Sequence, residues 1–119
     1  MPKLHPITAL RYAKADGDLT TRIAPPYDVL DAEPKRQLLE RDSYNIVAID
    51  LPVTPPKTVG PDSAYAEAGA LLRQWIDAGV LRRDGKPAVF AYEQVYAVEG
   101  RTFRRRGLFA GLGVEEFNR

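Results

Sequence analysis

Ala88-Val89-Phe90-Ala91-Tyr92-Glu93-Gln94-Val95-Tyr96-Ala97-Val98 decides the fold class of this chain. It is rich in Val, Phe and Tyr, so it reads as a long strand. Alternation puts Phe90, Tyr92, Gln94 and Tyr96 on one face and Val89, Ala91, Glu93, Val95 and Ala97 on the other. Glu99-Gly100 then predicts a tight hairpin turn. The return strand is expected from Thr102 to about Val114. A C-terminal β-hairpin therefore anchors the reading, and the rest of the chain is read against it.

Just before the hairpin lies the clearest helix. Tyr65, Ala68, Leu71, Leu72, Trp75 and Ile76 recur at helical spacing on one face. Asp62 or Ser63 is expected to cap this helix. Gly79 is expected to stop it, because glycine adopts the left-handed conformation that ends helices. Val80-Leu81 should fold back onto the helix end, and Arg82 to Lys86 reads as a polar turn. The aromatic residues of this helix are core residues in this reading, not a cofactor box.

Further upstream, Asp31 is placed to cap a helix from about Ala32 to Asp42. Pro34 falls in its first turn, where a missing N–H costs nothing. Tyr44 to Leu51 is short, apolar and β-branched, and is expected to be a buried strand. Pro52 to Pro61 holds four prolines and one glycine, so it must be a loop. Ile7 to Tyr12 is expected to be a short strand, and Asp16-Gly17-Asp18 a turn. Together these elements predict an α+β fold: a mixed sheet of about four strands, two principal helices and the hairpin. The 119 residues suit one domain. Ending five residues after a core-like strand, the chain reads as a single domain or as the N-terminal segment of a longer protein.

Composition excludes several classes. Lys and Arg total 17 and Asp and Glu 16, a net charge of +1 that predicts no general attraction to nucleic acid or anionic lipid. Without cysteine there is no disulfide, thiol nucleophile or thiolate metal site. No apolar run reaches the length of a signal peptide or a membrane span. The expected location is cytoplasmic.

Several pieces together resemble one known family. Ala9-Leu10-Arg11, Ala24-Pro25-Pro26-Tyr27-Asp28-Val29, Asn45-Ile46-Val47 and Asp50-Leu51-Pro52 resemble the opening of the domain-of-unknown-function 1015 family. Leu72, Trp75, Gly79-Val80-Leu81, Arg83-Asp84, Pro87-Ala88, Tyr92-Glu93-Gln94 and Arg105-Arg106-Gly107-Leu108-Phe109-Ala110 continue the resemblance in order. The proline-tyrosine-aspartate piece is its most specific part. The resemblance implies a longer protein, with a histidine-glutamate pair and an aspartate-glycine-histidine-histidine-arginine motif downstream. That second motif is similar to one in the ParB/sulfiredoxin-like fold, whose members bind nucleotides. It implies a nucleotide-dependent small-molecule phosphotransferase of the serine-kinase type, using ATP or ADP with Mg. This chain contains neither motif, and its one histidine is His5. No cofactor is therefore expected on this segment alone.

Four residues are candidates for a ligand site: Arg11, Tyr27, Asp28 and Arg106. Asp28 follows two prolines, and a carboxylate on a rigid loop can hold a fixed position. Equally, Asp28 can bond its own turn while Tyr27 packs on the core. Arg101, Arg104, Arg105 and Arg106 form the most basic patch. Arg104 and Arg106 should share one face, with an arginine approaching a partly buried side to grip a phosphate or carboxylate. The competing reading is an edge strand kept soluble by charge. No catalytic residue and no metal ligand is assigned; His5 lacks partners at ligand spacing. Three functions stay open: the phosphotransferase, a small-anion-binding module without turnover, and a structural domain. The expected partners are the C-terminal remainder of its own protein, a small molecule or a second copy of the chain. Phe109, Leu112, Val114 and Phe117 should then form an exposed apolar patch.

Overall fold

The computed structural model describes residues 2–13 and 19–116. The turn expected at Asp16-Gly17-Asp18 and the side chain of Phe117 lie outside them. Contacts divide the chain into two compact units, one of Tyr12–Arg82 and one of Met1–Arg11 with Arg83–Arg119.

The Tyr12–Arg82 unit is helical. Helix α1 spans Ala32–Arg41, α2 is a single turn over Val47–Asp50, and α3 spans Asp62–Asp77. Asp31 is extended ahead of α1 and its carbonyl accepts from Lys35 N–H, but its side chain forms no cap bond. Pro34 lies in the first turn, as its missing donor allows. The N-cap of α3 is Pro61 rather than Asp62 or Ser63, which lie inside the first turn. Asp62 there meets the positive end of the helix dipole. At the other end Gly79 has φ 77°, and Val80 N–H reaches back to the Trp75 carbonyl at 2.9 Å. This is a Schellman stop, and the left-handed φ is why glycine stands there.

Leu30, Val47 and Leu51 form the core of this unit, with Ala24, Leu38 and Leu39 packed against them. Trp75 is buried on α3 with Leu71 and Leu72 half-buried, as their spacing predicts. Its ring lies 5.6 Å from the Tyr44 ring, edge on, and 6.4 Å from Tyr12. Tyr65 departs from the predicted core: it is half-exposed, and its hydroxyl accepts from Gly60 N–H at 3.1 Å. It thus tethers the proline-rich loop that leads into α3.

Tyr44 to Leu51 is the main correction: it contains a helical turn, not a strand. Asn45 Oδ1 accepts from Val47 N–H at 2.9 Å, and backbone bonds run from Ile49 and Asp50 back to Ile46. A short apolar run fits a buried strand or a buried helical turn equally, and the capping asparagine decides for the turn. The expected sheet of about four strands loses one member by this change.

Among the described residues, three two-stranded sheets form instead. Strand β1 (Leu4–His5) pairs antiparallel with β6 (Gly111–Leu112). Strand β2 (Leu10–Tyr12) pairs with β3 (Leu81–Arg83). Strand β4 (Phe90–Val98) pairs antiparallel with β5 (Arg101–Phe109). The strand expected over Ile7 to Tyr12 is shorter, and Ile7 makes an isolated bridge to Ala88. Arg82-Arg83 lies in a strand, not a turn. The return strand expected to reach Val114 breaks at Ala110, after which Gly111 and Leu112 turn to β1. The mixture of helix and antiparallel strand remains α+β.

The hairpin itself forms as expected. Glu99 (φ 48°) and Gly100 (φ 75°) both sit left-handed, the geometry of a type I′ turn. Tyr92 is paired with Gly107, and its ring lies where a Cβ on residue 107 would have to be. That ring also packs on Phe109 at 4.9 Å. Among the described residues no helix is long and apolar enough to cross a membrane.

The buried indole sets the first prediction. Trp75→Ala should lower the unfolding free energy by about 3–5 kcal/mol in urea denaturation, the usual loss for a buried aromatic; a loss below about 1 kcal/mol would contradict its place in the core.

Candidate functional site

The Pro25-Pro26-Tyr27-Asp28 segment ends in a single 3-10 turn over Tyr27–Val29. Pro26 enters it extended, with φ −51° and ψ 137°. Leu30 N–H closes it on the Tyr27 carbonyl at 3.3 Å. Leu30 is buried and fixes the turn's exit; Tyr27, Asp28 and Val29 are exposed. Among the described residues the Asp28 carboxylate accepts no hydrogen bond, and the Tyr27 ring stands off the core. Both side chains therefore project from an anchored loop. Beside the turn, Pro25, Leu30, Pro34, Gln37, Leu38 and Arg41 line a concavity of about 160 Å³.

The anchor on the loop's entry is Asn45, which is fully buried. Its Nδ2 donates to the carbonyls of Thr21 at 3.0 Å and Ile23 at 2.8 Å. Ile46 N–H donates to the Arg22 carbonyl at 2.8 Å. The strip that feeds the two prolines is thereby stitched to the start of α2. Beside it, Arg22 lies 5.4 Å from the ring centroids of both Tyr12 and Tyr44, a double cation–π contact. Its Nε pairs with Asp42 Oδ2 at 3.4 Å. Asp42 also accepts from Thr21 Oγ1 at 2.7 Å and Tyr44 N–H at 2.9 Å. Sequence reasoning missed this cluster: its members, at 12, 22, 42, 44 and 75, share no local spacing. Asn45 had a signal, since asparagine ahead of a short apolar run is a cap residue.

The two arginine candidates belong to the other unit, Met1–Arg11 with Arg83–Arg119, and Tyr27 and Asp28 to Tyr12–Arg82. Arg11 grips Asp84 with two bonds, Nε to Oδ1 at 2.8 Å and Nη2 to Oδ2 at 2.6 Å. Its guanidinium lies 5.6 Å from the Phe90 ring centroid. The hydrogen bond and charge of Asp84 push the Arg11 pKa up. Arg106 Nε donates to Glu93 Oε2 at 2.8 Å, and Arg104 Nη1 to Oε1 of the same carboxylate at 2.8 Å. The two share a face, as alternation predicts. The expected approach of an arginine to a buried side is not met: Arg104, Arg105 and Arg106 are all exposed. Ala91, Glu93, Arg106 and Leu108 line an open hollow of about 470 Å³ on that face. His5 is exposed in β1. Among the described residues no group of three His, Cys, Asp or Glu is placed to hold a metal ion.

Asp42 generates a pH prediction. The Thr21 hydroxyl, the Tyr44 N–H and Arg22 hold its carboxyl below the usual carboxylate range. A depressed folded pKa adds stability that is complete above the unfolded value, about 3.9, and is lost as pH falls through and below it. Urea midpoints measured from pH 6 downward should fall less steeply for Asp42→Asn than for the parent chain. Parallel acid limbs would remove Asp42 from the linkage.

Compared with known proteins, the chain matches no curated protein and no solved structure. A family model described as a protein of unknown function, DUF1015, matches residues 4–119. The match takes in the Pro25-Pro26-Tyr27-Asp28 loop, the Asn45 anchor and the arginine-rich hairpin alike, and on that span this chain belongs to the DUF1015 family.

Proposed function

We propose that this chain is a structural and interaction segment whose hairpin is covered by the remainder of its own protein. The observation that carries this reading is the state of β4 and β5. Apolar side chains are exposed on both faces: Val95 (56%) and Leu108 (69%) on one, Tyr96 and Phe109 (57%) on the other. A two-stranded hairpin alone in water is marginal at best, so such a surface calls for a covering layer. Leu112 and Val114, expected in the same apolar patch, are also exposed.

In this reading the chemistry resides in the covering remainder. A nucleotide-dependent phosphotransferase of the serine-kinase type, on a ParB/sulfiredoxin-like fold, with ATP or ADP and Mg, is the activity we assign to it by resemblance. Tyr27 and Asp28, exposed on their anchored turn, are the contribution this segment offers to a ligand. Anion binding by the arginines has less support, because Arg11 and Arg106 are already engaged with Asp84 and Glu93.

The test is the behaviour of the 119-residue chain by itself. Sedimentation at micromolar concentration should show self-association, and Val95→Glu combined with Leu108→Glu should return it to monomer. A parent chain that sediments as monomer, with β4 and β5 amides protected from hydrogen exchange, would overturn the reading. The chain alone should transfer no phosphate from ATP or ADP with Mg to serine or another small alcohol. Transfer would move the chemistry into this segment.

A further inference from the structure

A third concavity, of about 240 Å³, lies among the three helices of the Tyr12–Arg82 unit. Its apolar wall comes from Leu39 of α1, Ala48 of α2 and Ala68 and Leu71 of α3. Two charged residues join them, Lys35 from α1 and Glu67 from α3. Among the described residues these two form no ion pair with each other or with any other group. Lys35 Nζ donates to the Pro52 carbonyl at 3.4 Å, a long bond that uses one of its three donors. Lys35 is also half-buried, and desolvation pushes its pKa down. An ammonium in that position gains by meeting a carboxylate.

The pairing of charges selects the ligand class. A simple carboxylate would satisfy Lys35 and be repelled by Glu67. A simple amine would do the reverse. A molecule carrying both charges satisfies both, and the apolar wall suits an alkyl group. The volume falls below the roughly 300–1,000 Å³ of sites for drug-sized ligands. The geometry points to a binding site for a small apolar amino acid, held as a zwitterion with its carboxylate at Lys35, its ammonium at Glu67 and its side chain on the apolar wall. This assignment is independent of the proposed function above.

The experiment is a two-dimensional NMR titration of the whole chain with L-leucine. Saturable shifts should appear at the amides of Ala48, Ala64 and Ala68. 4-Methylpentanoate, which lacks the ammonium, and isoamylamine, which lacks the carboxylate, should each bind more weakly than L-leucine. Lys35→Met should weaken L-leucine binding about tenfold, the loss expected for a hydrogen bond to a charged group. Glu67→Gln, at an exposed position, should weaken it about threefold. Ala68→Leu fills the hollow without touching either charge and should abolish the shifts; it serves as the second variant if Lys35→Met fails to fold. No saturable shift with L-leucine would overturn the site. 4-Methylpentanoate binding as well as L-leucine would overturn the zwitterion assignment, as would undiminished binding by Lys35→Met; undiminished binding by Ala68→Leu would overturn the site.

Discussion

Asn45 carries an unusual burden for one side chain. Fully buried, it places both amide donors on the carbonyls of Thr21 and Ile23, and its oxygen on the N–H of Val47. Two of those bonds reach back across more than twenty residues to the strip ahead of the two prolines. The third starts the helical turn whose Val47 and Leu51 form the core with Leu30. Replacing this amide by an apolar group would orphan two part-buried carbonyls and one buried N–H at once, and a buried unsatisfied polar group is costly. The candidate loop, the core and the path of the chain between α1 and α3 all lean on this residue.

The same residue explains where sequence reading went astray. The apolar run did place Val47 and Leu51 in the core, but it cannot separate a short buried strand from a short buried helical turn. The asparagine at its front was the discriminating letter. Elsewhere local chemistry was enough: the α3 stripe around Trp75, the Gly79 stop and the Glu99-Gly100 turn all follow from rules spanning a few residues. Sheet order did not follow, because the partners of β1 and β2 lie far along the chain. The split of the last strand at Ala110 likewise depends on Gly111 finding His5, more than one hundred positions earlier.

The site was legible to a similar depth. The proline pair marked a rigid loop, and Tyr27 and Asp28 do stand on an anchored turn with their side chains outward. That Arg11 would close on Asp84, or that Arg104 and Arg106 would share Glu93, required knowing which strands pair. Arg22 between two tyrosines was beyond reach for the same reason. Charged groups read from sequence as free to bind a ligand are, in the fold, the groups best able to satisfy one another.

Gly107 has one further consequence, for alignment along the hairpin. A slip of two residues would keep every side chain on its own face, so the apolar pattern alone cannot forbid it. It would, however, bring Tyr92 opposite Arg105 or Phe109 in place of the glycine, and neither leaves room for a ring lying flat across the partner backbone. The glycine acts as a keyhole that admits one aromatic key at one position, so β4 and β5 can zip in a single frame even though apolar residues lie on both of their faces.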